Sequence, residues 1–218
     1  MAGNKLIKQL KEEIEKYLNI PYSKNKLKNG KIILEVPYGA KGTWQQIQKI
    51  TNQIAKEKKL DLKNLNNKQL YNFQKKHKIG IDCSGFCYHL LNKIYQLNFK
   101  KNIKAKLIGT NNKKGVRRLS ANLLTNSINA TKISNYNNIQ TGDLIRFDKG
   151  GHVIFIIEKK GDTIYYVHSS DKTKTRGVHY GTIKITNPQK TLNHQQWSEC
   201  IFPNSNDAIF RPNCFITN

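Results

Sequence analysis

"GGHVIFIIEKKGDTIYYVHSS", Gly150 to Ser170, is two apolar runs on either side of a charged turn. Val, Ile, Phe and Tyr dominate both runs, which favours strands over helix. The best turn is a three-residue loop, Lys159-Lys160-Gly161, with Gly161 in the left-handed position. Glu158 then faces Asp162, Ile156 pairs with Ile164, and His152 pairs with His168. Directly opposed residues have Cβ atoms roughly 4.5–5.5 Å apart. Two histidines so placed form a base and its orienting partner. Gly150 and Gly151, just before His152, leave room for a substrate or a neighbouring helix.

The strand period extends on both sides of this hairpin. "LIRF" from Leu144 and "VHYGTIKI" from Val178 read as further strands. Gly142-Asp143 makes the turn into the first of them, and Asp143 is read as structural. Upstream the period is helical. Leu6, Leu10, Ile14 and Leu18 mark a first helix, closed by Pro21. "KIILEVPYG", Lys31 to Gly39, is a short strand or extended segment. Thr43 with Gln46 forms a capping box for a second helix carrying Trp44, Ile47, Ile50 and Ile54 on one face. Asn67 caps a third, with Leu70 and Phe73 inward. Residues 100–116 are a basic loop, and "RRLSANLLTNSI" from Arg117 is one more short helix. Helices first and antiparallel strands after define an α+β chain, with helices packed on a central antiparallel sheet. An N-terminal helical extension over 1–78 is expected to pack on a core of 79–218, the whole being one compact unit.

"GIDCSGFCYHLLNKI", Gly80 to Ile94, carries the chemistry that the hairpin needs. Cys83, Phe86, Cys87, Leu90, Leu91, Ile94 and Leu97 form a wide apolar stripe at helical spacing. Asp82 caps that helix and sets Cys83 in its first turn. The helix dipole and free N–H groups there favour a thiolate, the nucleophilic form. Gly85 lets another backbone approach closely. A thiol nucleophile needs an imidazole partner, and His152 supplies it. Cys83 is therefore the expected nucleophile, His152 the base and His168 its orienter. The backbone N–H of Cys83 or Ser84 is the natural oxyanion donor.

A lone cysteine on an apolar helix face is more often core. Here Cys87 is the natural core cysteine, while Cys83 sits at the terminus. His179, in "GVHYG", either lines the site or occupies a surface strand position, the latter preferred. His77 and His89 read as surface or packing residues, and Cys200 and Cys214 as buried thiols. Cys83, Cys87 and a histidine do not have a familiar zinc-ligand spacing. No G-x-S-x-G, P-loop or Rossmann glycine pattern is present. No cofactor and no metal are expected.

The formal net charge is +24, from 33 Lys and 5 Arg against 14 acids. That balance favours anionic partners: a wall polymer, nucleic acid or a membrane surface. Lysines without Arg forks or interleaved aromatics make a poor base-reading surface, so the expected attraction is non-specific. The first residues carry charge every few positions and include no apolar leader, and no apolar run is long enough to span a bilayer. The cytoplasm is the simplest compartment, with export by another route left open. Four cysteines do not make a disulfide framework. A monomer is expected.

In order along the chain, "DCSGF", "RRLSA", "GDLIRF", "GGHVIFII" and "YYVHSS" resemble the NlpC-type papain-like cysteine peptidases. The similarity covers about residues 79–170. It implies a papain-like NlpC-type fold and cleavage of bacterial cell-wall peptides next to D-amino acids. It also implies a cysteine, histidine and third polar residue at Cys83, His152 and His168. Such proteins bring a tyrosine to the site from a "PY" motif shortly before the cysteine. Here "IPYSKN" lies about sixty residues earlier. Either Tyr22 folds back to the site, or Tyr38 or Tyr71 replaces it. The expected activity is a cysteine hydrolase acting on a peptide or peptidoglycan stem. An amide acyltransferase on the same apparatus and a non-catalytic basic module binding an anionic polymer are the alternatives.

Overall fold

The computed structural model describes residues 2–29, 31–107, 109, 115–147, 151–199, 201 and 203–216. Gly150 and Cys200 lie outside the described residues.

The N-terminal part is helical. Helix α1 (Ala2–Glu15) buries Leu10 and Ile14 completely. It stops well before Pro21, and the chain turns through Asn19 in the left-handed region (φ 63°). A small ribbon of β1 (Lys26–Lys28) and β2 (Lys31–Leu34) follows. Helix α2 (Trp44–Glu57) starts in the expected capping box of Thr43 and Gln46, with both reciprocal bonds formed. Helix α3 (Asn67–Lys76) is capped by Asn66 rather than Asn67. The reason is spacing. Gln69 stands three residues after Asn66 and can return a hydrogen bond, whereas Leu70, three after Asn67, has no acceptor to offer.

Helix α4 (Cys83–Phe99) is the central helix. Asp82 caps it by accepting the Gly85 N–H at 2.7 Å. Its stripe from Cys83 to Ile94 is buried as the spacing predicts, while Leu97 is only half-buried. Helix α5 (Ala121–Thr125) is a short turn capped by Ser120.

The remaining strands are β3 (Ala130–Ile133), β4 (Leu144–Phe147), β5 (His152–Lys160), β6 (Thr163–Ser170), β7 (Gly177–Lys184), β8 (Gln196–Trp197) and β9 (Ala208–Pro212). They form one sheet in the order β3-β9-β4-β5-β6-β7-β8, every pairing antiparallel. Val153, Phe155, Ile157, Val167 and Val178 pack with α1 and α4 into one core. The alternating residues Ile154, Ile156, Ile164, Tyr166 and Ile183 pack into a second core on the opposite face. Leu10, Ile14 and Tyr17 belong to the first core, so the N-terminal helix shares the interior of the α4 region. Asp143, 1% exposed, is held by Arg211 on β9 at 2.8 and 2.9 Å, in keeping with a structural role.

The β5–β6 hairpin corrects the expected register. Lys160 pairs with Thr163 and Lys159 with Ile164, so the connection is the two-residue Gly161-Asp162. Gly161 does adopt the left-handed region, φ 55°. The shorter turn alone would shift the pairing by an odd number of residues and send His168 to the wrong face. A bulge restores it. Glu158 faces Tyr165 but Ile156 faces Tyr166, so Ile157 is an extra residue on β5. The net shift is even. Ile156 therefore meets Tyr166 instead of Ile164, and His152 and His168 are diagonal neighbours on one face rather than directly opposed.

Candidate active site

Two groups of side chains approach the start of β5. The first is built on the N-terminus of α4. Cys83 is buried, and its thiol bonds to the backbone of Val153, the residue after His152. Cys87, one turn on, lies in the core with Sγ 3.8 Å from the Val153 carbonyl oxygen. Gly85 has the close approach its position predicts. A Cβ there would fall 2.8 Å from the Ala40 carbonyl oxygen and from Lys41 Cδ.

That approach brings in a residue with no signal in the sequence. Lys41 is buried, 7% exposed, and its ammonium sits between the Asp82 carboxylate and Ser84 Oγ, the latter at 2.6 Å. Ser84 Oγ also lies 3.1 Å from Asp82 Oδ1 and 3.2 Å from the Leu119 carbonyl oxygen. The Lys41 carbonyl accepts Nε2–H of His89, which stacks on Tyr17. His89 is thus a packing residue, and His77 packs on Phe73. Tyr22 returns to this end of the helix. It forms a parallel bridge with Ile81, and the Ile81 N–H donates to the Pro21 carbonyl oxygen at 3.0 Å. Burial, followed by the charges of Cys83 and Asp82, pushes the Tyr22 phenol well up. Tyr71 instead packs at Gly177 and Tyr38 at Gly42.

The second group lies on the sheet. His152 Nε2 is 2.9 Å from His168 Nδ1. His168 Nε2 is 3.1 Å from Glu199 Oε2 and 3.0 Å from His179 Nε2. Glu199 Oε1 is 2.6 Å from His179 Nε2, and Tyr166 Oη donates to Glu199 Oε2 at 2.6 Å. His179 is buried at 7% exposure, not a surface strand residue. The reason is topological: β7 is covered by β8 and by the segment after it, which carries Glu199.

A carboxylate only accepts, so Glu199 fixes the tautomers of this chain. His168 donates Nε2–H to Glu199, which leaves Nδ1 as an acceptor. His152 then donates Nε2–H to His168, and its own Nδ1 keeps the lone pair. Burial, and next the charge of His168, pushes the His152 imidazole down to about 3. Burial also lowers His168, against the opposing bond from Glu199. For Glu199, burial raises the carboxyl, but the bonds from His168, His179 and Tyr166 outweigh it and hold it far below the usual carboxylate range.

The thiol behaves differently from its sequence position. A helix start favours early ionisation, and an imidazole partner would add to it. Burial and then Asp82 instead push Cys83 up to about 11, against the Val153 backbone, Lys41 and the Ser84 backbone. Burial pushes the Cys87 thiol well up too. The resting site therefore holds a neutral thiol and a neutral imidazole. Gly151 stands in the left-handed region (φ 61°), and beyond its chain neighbours no atom of the described residues comes within 4 Å of where its Cβ would stand. Cys214 is half-buried rather than buried.

A helix-start cysteine packed against a histidine-bearing antiparallel sheet defines a class: α+β proteins with a buried thiol at a helix start and a histidine cluster on the sheet. The NlpC/P60 family model matches residues 68–201, and the chain belongs to that family. This is a family of cysteine peptidases and amidases acting on cell-wall peptides. The match extends past the quoted motifs to include both His179 and Glu199. No curated protein and no solved structure matches the chain. Among the described residues, no helix is long and apolar enough to cross a membrane.

Proposed function

We propose that this protein is a cysteine hydrolase that cleaves an amide bond in a peptidoglycan stem peptide through a Cys83 thioester. The observation that carries the reading is the hydrogen-bonded chain Glu199–His168–His152, whose last member directly precedes Val153, the residue whose backbone the thiol contacts. The thiol proton passes to His152 Nδ1 as sulfur attacks the carbonyl carbon. The oxyanion is met by the backbone N–H of Cys83 or Ser84 at the helix start. His152 returns the proton to the leaving amine nitrogen, and the C–N bond breaks. Water then attacks the thioester carbonyl, giving its proton to His152. The carboxyl product leaves, and the thiol recovers the proton. His168 orients His152 and stabilises its charged form, as the third member of such triads does. Tyr22 and the Lys41–Asp82–Ser84 cluster support the helix side of the site.

Because thiol and imidazole both rest neutral, proton transfer accompanies attack instead of preceding it. An amine in place of water would make the same apparatus an acyltransferase. The net charge of +24 supports association with anionic wall polymer, additional to the site. That association should weaken steeply as salt rises, and binding indifferent to salt would contradict it.

The test is mass spectrometry of a purified wall digest, and separately of a cell-extract peptide pool, after incubation with wild type or Cys83→Ala. New amine and carboxyl ends in stem peptides, made by the wild type alone, are expected. Cys83-dependent cleavage confined to the extract pool would keep the hydrolase and overturn the substrate class. No Cys83-dependent product in either would overturn the hydrolase itself.

A further inference from the structure

His168, His179 and Glu199 bring their ligand atoms together within 4.8 Å of one another, the two histidines buried and Glu199 partly so. The hydrogen atoms of this cluster can be accounted for one by one. His179 Nδ1 lies 2.9 Å from the Gly177 carbonyl oxygen, which only accepts, so Nδ1 carries a hydrogen. In a neutral ring Nε2 is then a bare lone pair. Its neighbours are Glu199 Oε1 at 2.6 Å, His168 Nε2 at 3.0 Å and Thr173 Oγ1 at 3.3 Å. Thr173 gives its hydrogen to the Thr175 carbonyl oxygen at 2.6 Å. In that neutral form a carboxylate oxygen faces a nitrogen lone pair at close range, and only a second hydrogen on the ring or a cation can join them. The pocket calls for a positive charge at its centre.

We propose that His168, His179 and Glu199 form a binding site for a divalent cation of zinc type. Two imidazoles and one carboxylate are a zinc donor set with an open fourth position. The outer partners are also those of a metal site. His179 is oriented by the Gly177 carbonyl, Glu199 by the Tyr166 hydroxyl and His168 by His152. Neither the sequence motifs nor the family match assigns this role to any of the three.

Occupancy has a consequence for the site, one that rests on the hydrolase reading. A cation takes the Nε2 lone pair of His168, so that ring's hydrogen moves to Nδ1. His168 then donates to His152 Nε2, and His152 must hold its own hydrogen on Nδ1, the atom needed to accept the thiol proton. No atom is gained or lost in His152. It changes tautomer, and the base is withdrawn. The filled site is an off state of the enzyme.

The experiment is equilibrium dialysis of the full chain against Zn²⁺, with Co²⁺ absorption as a second readout, in a Cys83→Ala background that removes the active-site thiol as a competing ligand. One ion per chain and a Co²⁺ spectrum free of thiolate charge-transfer bands are expected. Tyr166→Phe, which removes the hydroxyl that donates to Glu199 but none of the three ligands, should weaken binding about 10- to 100-fold. Glu199→Gln should weaken it at least as much, with circular dichroism confirming the fold. If Glu199→Gln fails to fold, Tyr166→Phe alone decides. Absence of binding, or equal affinity in Tyr166→Phe and wild type, would overturn the proposal and leave a proton as the charge between His179 and Glu199. In the wild type, Zn²⁺ should suppress turnover. Binding without any turnover to suppress would leave the cation site standing while the hydrolase reading falls.

Discussion

The helix side and the sheet side of the site are built by different means. On the helix side Asp82, Cys83 and Ser84 are consecutive, and one N-cap sets all three. On the sheet side His152, His168, His179 and Glu199 come from three strands and the segment after a fourth, and only long-range pairing unites them. The helix side can tolerate local error, because a cap is decided within a turn. The sheet side depends on register, and a one-residue slip turns a histidine to the other face. The two sides also differ in charge. One holds an ammonium against a carboxylate, the other a carboxylate against imidazoles.

The largest expected effect removes either side outright. Cys83→Ala should lower kcat by roughly 10⁴-fold or more. His152→Ala should lower it by about 10²–10⁴-fold, the usual worth of a general base. Steady-state assays on a cleaved stem peptide would measure both, and an active Cys83→Ala would break the comparison at its root.

The next effect tests whether the sheet side acts as a chain. His168→Ala and Glu199→Gln should each lower kcat by about 10²-fold through a misplaced base. The double variant should lose little more than the worse single one, because both act through His152. Additive losses would show two independent contributions.

A smaller effect falls on folding. Lys41→Met leaves the Asp82 carboxylate beside a buried apolar group. It should cost roughly 3–5 kcal/mol, read from the urea midpoint. An unchanged midpoint would show that the ammonium contributes nothing to stability. The mildest test changes no residue. With the thiol pushed up to about 11, iodoacetamide labelling of Cys83 should climb with pH from about 6 to about 10 without levelling. A plateau below neutrality would instead mark a preformed thiolate–imidazolium pair.

The same contrast explains what could be read in the sequence. Asp82, Cys83 and Gly85 were legible because capping and close approach are local. The β5–β6 hairpin was legible as two strands but not in register. Its turn is one residue shorter than the best three-residue loop, and Ile157 inserts a bulge that no pattern announced. Parity alone saved the histidine pair. The burial of His179 was not legible, because the two-residue β8 beside β7 and the segment after it carry no recognisable pattern. Glu199 had no motif, lying 31 residues beyond His168. Lys41 was hidden by abundance: among 33 lysines, nothing marked this one as buried.

The claim that Cys83 carries the acyl group is tested most directly by acid-quenched peptide mapping during turnover of a stem peptide. The account predicts that the Cys83 peptide gains the mass of the substrate's acyl half, released by hydroxylamine, with Cys87 and Cys214 unmodified. Turnover with Cys83 unmodified, sustained in Cys83→Ala, would contradict it.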